Sequence, residues 1–502
     1  MDTDRQPADI NKTDFYAVSG LLMVSFLLRL YAFFYTTVIN RDGVWYINQA
    51  KAIFNNDWVA AKSCGYDFIS LYHLLIPVFY RVTGDWILAA KVISLVFGSI
   101  AVIPFYFILR HFFRTPLAFV ASLAFAMNPF FVSYSVELVK DPTFWFFGLL
   151  GIYFFITAVK REKRLYFLLF SNISFLLAAF ARFEGFIYLI GSVVYIVLFE
   201  DRKLKKLMIF VLPVLLLFSL ASLLKAYLVK EALHLGKFYF VPRAQRFFSD
   251  LSASLLQPDI LEKSLMSLKL LIYGTTKVLY IPFIPFFLIS LLNLKRDVGS
   301  DRRFRYLIFV SLLSLIALYL FYVKIQILSP RYTVFFILPA LVFACSGIER
   351  IVLFLTGKGL KEKIAVSLVC FYVVVSVLTV PSKLLPRKPD KIIYKTVGEY
   401  VAKIEENRNT IIMAPDSRVM FYANLYSPAL ECGNRLIGYR RLMGMKYDDM
   451  IYALESNNVK YFVWEAKSKK NEGLSSPADA APKHFKEVMR WDENEIVLYR
   501  MQ

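Results

Sequence analysis

The sequence predicts a polytopic α-helical membrane protein of about eleven transmembrane helices, followed by a small soluble α/β domain. Three observations predict it. Of the 502 residues, 58% are hydrophobic and only 19% charged, whereas soluble domains are about half apolar and about a quarter charged. Apolar runs long enough to cross a bilayer recur between residues 15 and 380. Basic residues gather in every second loop between those runs. A chain with 48 Phe and 31 Tyr cannot hide its apolar surface in a water-soluble core of ordinary size. It needs the bilayer as part of its solvent.

A spanning helix takes roughly 17–25 mostly apolar residues. Eleven stretches qualify: 15–38, 87–109, 116–133, 143–159, 165–181, 183–199, 207–229, 270–292, 306–323, 332–348 and 364–380. The fifth and sixth are short, with only Arg182 and Glu184 marking a turn between them. The polar residues 1–14 contain no short apolar stretch with a small-residue cleavage site. The first run is therefore expected to stay as an anchor rather than leave as a signal peptide.

Charge orients the bundle. The loops 110–114, 160–164, 200–206, 295–305 and 350–363 together hold 19 Lys and Arg. The short loops of opposite parity hold four: Lys140, Arg182, Lys324 and Arg331. Cytoplasmic loops carry such an excess, so the N-terminus is expected in the cytoplasm and the C-terminus outside, in a plasma membrane. A net charge of +21 would suggest nucleic acid in a soluble protein. Here the charge sits in membrane loops and no nucleic-acid-binding motif is present, so nucleic acid is excluded as a partner.

Three larger segments fall on the outer side. Residues 39–86 contain amphipathic pieces at 45–54 and 69–82, expected to lie along the membrane surface. Residues 230–269 carry His234, Arg243 and Arg246. The third segment is the tail, residues 382–502, entered through a proline-rich linker. Its apolar runs are short. Residues 392–404 have helical spacing, 447–454 likewise, and 410–413, 460–464 and 495–499 read as strands. Of the four cysteines, Cys345 and Cys370 lie in apolar runs. Cys64 and Cys432 lie in outer segments, where a disulfide between them is open. No CxxC motif is present, so thiol-based metal or redox sites are not expected.

Four outer loops present charges near the membrane surface. The first is Asn40-Arg-Asp-Gly-Val-Trp-Tyr46. Asp42 stands there in a carboxylate-poor region, and two readings compete: a functional acid, or a cap for a helix over 44–54. The second loop holds Glu137, Lys140 and Asp141, with Asp141 before Pro142, which is also a common helix start. The third is Ala181-Arg-Phe-Glu-Gly185 and the fourth Ser329-Pro-Arg-Tyr332. Charges at helix ends often snorkel, but four such loops on one side suggest a shared polar site. Arg29 and Lys277 lie within apolar runs, where ionisable groups are costly and functional by default. Lys225, near the end of its run, reads as a snorkelling residue. His73 and His234 face the same side, and the simpler reading of each is structural or solvated.

With these residues in place, the chain resembles the GT-C superfamily of glycosyltransferases. The embedded Arg29, then Asp42-Gly43 and a Tyr/Trp-rich amphipathic helix, are similar to the start of its polyprenyl-phosphate-sugar-dependent members. Those are the protein O-mannosyltransferases and the lipid A aminoarabinose transferases. Arg182-Phe-Glu-Gly185 is similar to their Arg-Pro-Glu-Gly, with Phe183 in place of Pro. Ser329-Pro-Arg-Tyr332, followed by Leu338-Pro-Ala-Leu341, resembles their late Arg-Tyr and Pro pattern. Many members have two adjacent acids in the first outer loop. Here Gly43 follows Asp42, as in single-acid members. The second-loop acid is either Glu137 or Asp141.

The resemblance implies transfer of a sugar from a polyprenyl-phosphate donor to a lipid, glycan or protein acceptor, with inversion. The acceptor hydroxyl must lose a proton as it attacks, and Asp42 is the expected base. The departing lipid phosphate needs cations aimed at it. Arg331 and Arg182 suit it as planar two-point donors, with Lys277 and Arg243 behind them. Lys140, Glu184 and Tyr332 would help bind substrate. Glu137 or Asp141 would orient donor or acceptor, or hold a divalent metal ion with Asp42. No tight ligand set such as HExxH is present.

Two other classes compete. A transporter or lipid flippase would show inverted repeats and paired broken helices near mid-membrane. Pro282 and Pro285 share one run and Pro213 lies in another, without a paired arrangement. An oligosaccharide transferase or ligase with a diphosphate-linked donor would share the fold and differ only in the donor.

Overall fold

A computed structural model describes residues 11–64, 68–160, 164–228, 258–292, 294, 299, 301–327, 329–379, 384–385, 391–406, 409–427, 439–466 and 476–502. The chain divides into two compact units that do not follow chain order. One holds residues 1–35, 70–75 and 88–386, the other residues 36–69, 76–87 and 387–502.

The first unit is helical. Among the described residues, five helices are long and apolar enough to cross a membrane: Lys12–Tyr35, Trp86–Arg110, Asp141–Val159, Arg302–Ile325 and Pro330–Gly357. A bent pair, Ile260–Leu279 with Ile281–Leu291, makes a sixth if counted as one span. The protein is thus a multi-pass membrane protein. The expected run 270–292 is folded through 87° at Tyr280, whose φ is +63°. Pro282 and Pro285 cannot donate to the helical ladder there, so the chain turns instead. The expected run 116–133 also breaks. Helix Thr115–Met127 stops at Asn128, whose side chain accepts from the Phe130 amide at 2.9 Å and starts a second helix, Pro129–Tyr134. The same side chain donates to the Val278 carbonyl at 2.9 Å, tying one broken helix to the other.

Aromatic rings fill the core of this unit. Phe155 stacks on Tyr306 at 4.0 Å, and Phe131 meets the edge of Trp145 at 4.9 Å. Arg29 is wholly buried in the first helix. It donates to Ser25 Oγ at 2.7 Å, the Ala126 carbonyl at 3.0 Å and Ser135 Oγ at 3.0 Å. The embedded charge therefore fastens the first helix to the loop that precedes Asp141. At the other end of that helix, Asp14 accepts from Tyr106 and Arg110, each at 2.6 Å.

The second unit is mixed. Helix Arg41–Phe54 begins three residues before the expected piece 44–54. A four-stranded sheet runs in the order β1 (Ile412–Met413), β2 (Tyr461–Glu465), β4 (Ile496–Met501), β3 (Phe485–Trp491). β1 pairs parallel with β2, and the other pairs are antiparallel. Side chains alternate across a strand, and both faces of β2 are covered. Tyr461 and Val463 join Val397, Val401 and Val419 on one side, while Phe462 and Trp464 join Leu454, Tyr439 and Phe485 on the other. Three strands lie close to where the sequence puts them. β3 is the addition: Lys486, Glu487 and Arg490 make it polar, as suits an edge strand. Cys64 is disulfide-bonded, while Cys345 and Cys370 are free. Cys432 lies outside the described residues.

Candidate active site

Asp141 is the first residue of its helix, a position where a carboxylate meets the positive end of the helix dipole. It is only 1% exposed. Arg182 reaches it from the turn between helices Tyr166–Ala181 and Gly185–Phe199. That turn is tight: the Arg182 amide donates to the Ala178 carbonyl at 2.8 Å and the Gly185 amide to the Arg182 carbonyl at 2.9 Å. A Cβ on Gly185 would lie 2.4 Å from the Ala179 nitrogen, so only glycine closes the turn here. Phe183 faces out at 44% exposure while Arg182 is buried.

Arg331 comes from the 3-10 turn Pro330–Thr333. Its Nη2 lies 3.2 Å from Asp141 Oδ2, and its Nε donates to Oδ1 at 3.4 Å. Arg182 also holds Glu184, with Nε donating at 3.2 Å, and its guanidinium lies 5.5 Å from the Tyr332 ring centre, within cation–π range. Asp141, Arg182, Glu184, Arg331 and Tyr332, read from three separate loops, thus come together. Lys140 is next to them. Burial, with the Arg182 charge adding to it, pushes its ammonium down to about 8, against the pull of Glu184 and Asp141. Burial would raise the Glu184 carboxyl, but Arg182 holds it below the ordinary range. Among the described residues, three cations, Lys140, Arg182 and Arg331, meet two carboxylates, Asp141 and Glu184, in this cluster.

Other expected residues fall elsewhere. Glu137 is half-buried in the loop before Asp141, and Arg182 and Arg331 both pair with Asp141. Lys277 is exposed, its ammonium 5.5 Å from the Tyr273 ring, and it joins none of the ion pairs around Asp141. It lies one residue before Val278 and close to the Tyr280 break, where the run is not a continuous span. Arg243 and His234 lie outside the described residues, as does the side chain of Lys225. His73 is buried, with Nδ1 accepting from the Ser70 amide at 2.8 Å. Burial keeps it neutral, with a pKa near 3.

Asp42 belongs to the second unit. It sits in the first turn of helix Arg41–Phe54, half-buried. The capping reading fails for it: Asn40 is the cap, and its side chain accepts from the Gly43 amide at 2.7 Å. Arg182 and Arg331 both pair with Asp141, and their charges oppose a metal cation there, although its Oδ2 makes no hydrogen bond among the described residues. Among the described residues, no three His, Cys, Asp or Glu side chains form a metal-binding group. A metal held by Asp141 does not fit this arrangement.

The sequence did not point to a second charged group, Arg41, Asp416 and Arg418. Asp416 is fully buried and receives Arg41 at 2.7 Å and Arg418 at 2.8 Å. Its Asp-Ser start to a helix was readable, but its long-range partners leave no local signal.

Comparison with known proteins bears on the fold that carries these residues. The family described as dolichyl-phosphate-mannose-protein mannosyltransferase matches residues 71–224. The oligosaccharyltransferase of Archaeoglobus fulgidus, in a complex with Zn and sulfate, is 13% identical with a TM-score of 0.62. That match covers 97% of this chain and 73% of the other. ArnT from Cupriavidus metallidurans, bound to undecaprenyl phosphate, is 12% identical with a TM-score of 0.58, covering 97% of both chains. The chain has the GT-C glycosyltransferase fold. The archaeal oligosaccharyltransferase AglB from Archaeoglobus fulgidus, in complex with an inhibitory peptide and a dolichol-phosphate, is 11% identical with a TM-score of 0.58 over 98% of this chain and 75% of its own. No curated protein matches the chain in sequence. The GT-C fold accounts for the many helices and for loops that carry charge far apart in sequence.

Proposed function

We propose that the protein is a membrane glycosyltransferase. It moves a sugar from a polyprenyl-phosphate donor to a lipid, glycan or protein acceptor on the outer face of the plasma membrane, inverting the anomeric carbon. The bundle carries eleven spans with residues 1–14 in the cytoplasm and residues 382–502 outside. The observation that carries this reading is the buried Asp141 carboxylate between Arg182 and Arg331. Buried ion pairs are a poor route to stability. A network with one cation in excess, on a fold whose solved relatives hold undecaprenyl phosphate and dolichol-phosphate, suits an anionic lipid phosphate.

The chemistry then runs through the chain's own groups. The acceptor hydroxyl oxygen attacks the anomeric carbon while its proton passes to the Asp42 carboxylate. The bond from that carbon to the phosphate oxygen breaks, and its electrons stay on the phosphate. Arg331, less buried than Arg182, meets that growing charge, with Arg182 and Lys140 behind it. Asp141 holds the two guanidinium groups side by side and aimed, so little reorganisation is needed as charge develops. Glu184 and Tyr332 fix Arg182 from its other side.

A second reading follows from the likeness to the archaeal oligosaccharyltransferase: a diphosphate-linked oligosaccharide as donor. The test is transfer of labelled sugar by purified protein from a panel of monophosphate and diphosphate polyprenyl donors, wild type beside Asp42→Asn. Transfer from a monophosphate donor that collapses in the folded variant supports the reading. Equal transfer by both proteins removes Asp42 as the base. Transfer from diphosphate donors alone selects the second reading.

A further inference from the structure

The residues just before Asp42 are tied to the chain's C-terminal part within the second unit. The Ile39 amide donates to the Tyr422 hydroxyl at 3.0 Å, and the Ile39 carbonyl accepts from Arg418 Nη1 at 3.3 Å. Arg41 Nε donates to Asp416 Oδ2 at 2.8 Å. Asn40 between them caps the helix. Toward the other end of the same helix, the buried Lys51 donates to the Leu425 carbonyl at 2.6 Å. Helix Arg41–Phe54 is therefore held near both ends by residues 416–425.

That grip is itself rigid. Asp416 caps helix Ser417–Ala423 through the Arg418 amide at 3.1 Å. Its two oxygens then take the Arg418 fork, at 2.8 and 2.9 Å. The Arg418 guanidinium lies 5.3 Å from the centre of the Tyr394 ring, and the Tyr394 hydroxyl donates to Glu465 on β2 at 2.9 Å. The sheet thus fixes the tyrosine, the tyrosine the arginine, and the arginine the backbone at Ile39. A bidentate, stacked arginine loses little freedom on binding. Burying Asp416 beside it costs more than a surface pair would, and removing one partner would leave an uncompensated buried charge.

We infer that Asp416, Arg418 and Tyr422 are positioning residues for Asp42, so that the C-terminal part holds the segment that carries the proposed base. This rests on Asp42 acting as the base. A base must sit within hydrogen-bond reach of the acceptor proton, and a displacement of about 1 Å costs roughly a hundredfold in rate. Three consecutive residues, 39 to 41, are held so that the turn they open can move little.

The experiment uses the full chain in detergent, with Asp416→Asn, Arg41→Gln and the milder Tyr422→Phe beside wild type. Hydrogen exchange at residues 39–45 is read together with the transfer kinetics. The expected result is faster exchange there in each variant. Turnover should fall about tenfold or more while donor KM stays within about twofold, the pattern of a lost transition-state contact. Tyr422→Phe removes one hydroxyl and no charge, so it stays informative if Asp416→Asn does not fold. Unchanged exchange at 39–45 in all three overturns the clamp. Faster exchange with unchanged turnover overturns its positioning role. A wild type that transfers no sugar from any polyprenyl donor overturns the proposed function and the catalytic half of this inference with it, while the exchange result still decides the clamp.

Discussion

Asp141 and Arg182 form a buried ion pair between the start of one helix and the end of another. Arg331 completes a bridge over the same carboxylate but keeps 19% of its side chain exposed, against 5% for Arg182. Asp141 and Arg331 should therefore separate stability from binding. Asp141→Asn strands two guanidinium groups beside each other, and breaking a buried pair typically costs about 3–5 kcal/mol. Its thermal midpoint in detergent is expected to fall by several degrees. Arg331→Gln leaves the Asp141–Arg182 pair intact, so its midpoint should move much less, while affinity for a polyprenyl phosphate drops about tenfold or more. An Arg331→Gln protein that binds the lipid as wild type does would take phosphate recognition away from this cluster.

Gly98 makes a second test, because it packs against Ser135, a partner of the buried Arg29. A Cβ added there would lie 2.1 Å from Ser135 Oγ and 3.3 Å from Arg29 Nε. Gly98→Ala must displace the Ser135 side chain, and with it the Arg29 bond that fastens the loop before Asp141. Overpacking of this kind costs about 1–3 kcal/mol. Gly20→Ala, in helix Lys12–Tyr35 with nothing within 4 Å of the new Cβ, is the matched control. There alanine should be neutral or stabilising, by up to about 1 kcal/mol. Unfolding midpoints of the two variants are expected on opposite sides of wild type, or with Gly20→Ala level. A Gly98→Ala protein as stable as wild type would show that the Arg29–Ser135 bond does not hold this loop.

What could be read from the sequence follows from how local each signal is. The helices around the charged loops were legible because apolar length and loop charge are counted along the chain. Arg182, Glu184 and Arg331 were legible because a charge at the end of an apolar run stands out, and Tyr332 came with the Arg-Tyr pattern it shares with Arg331. Which acid the arginines hold was not, since Glu137 and Asp141 share one loop and only packing brings Arg182 and Arg331 to the second. The breaks at Asn128 and Tyr280 are marked by Pro129, Pro282 and Pro285, yet hydropathy averages over them and reads one continuous span. β3 escaped because Phe485–Trp491 offers few buried positions, its ends and Val488 excepted. The Asp416 grip on Arg41 escaped for a different reason: neither residue has an unusual neighbour, and their pairing exists only in the folded unit.

Lys51 gives the second unit a pH dependence of definite sign. It is buried at 8% exposure and donates to the Leu425 carbonyl. Burial pushes its ammonium down to about 8 from an ordinary 10.5. Between those values the unfolded chain keeps the proton that the folded protein has released, so the unfolded state binds more protons and stability rises with pH. Below 8 both states are protonated and this group adds no slope. Across the whole window the gain is on the order of 3 kcal/mol. Unfolding of wild type and Lys51→Met, measured from pH 7 to pH 10, should show the difference between them narrowing or widening in one direction only: wild type gains relative to the variant as pH rises. The variant keeps every other titrating group, so a difference that stays constant with pH would mean that Lys51 keeps an ordinary proton affinity in the folded protein, and that its ammonium is reached by water.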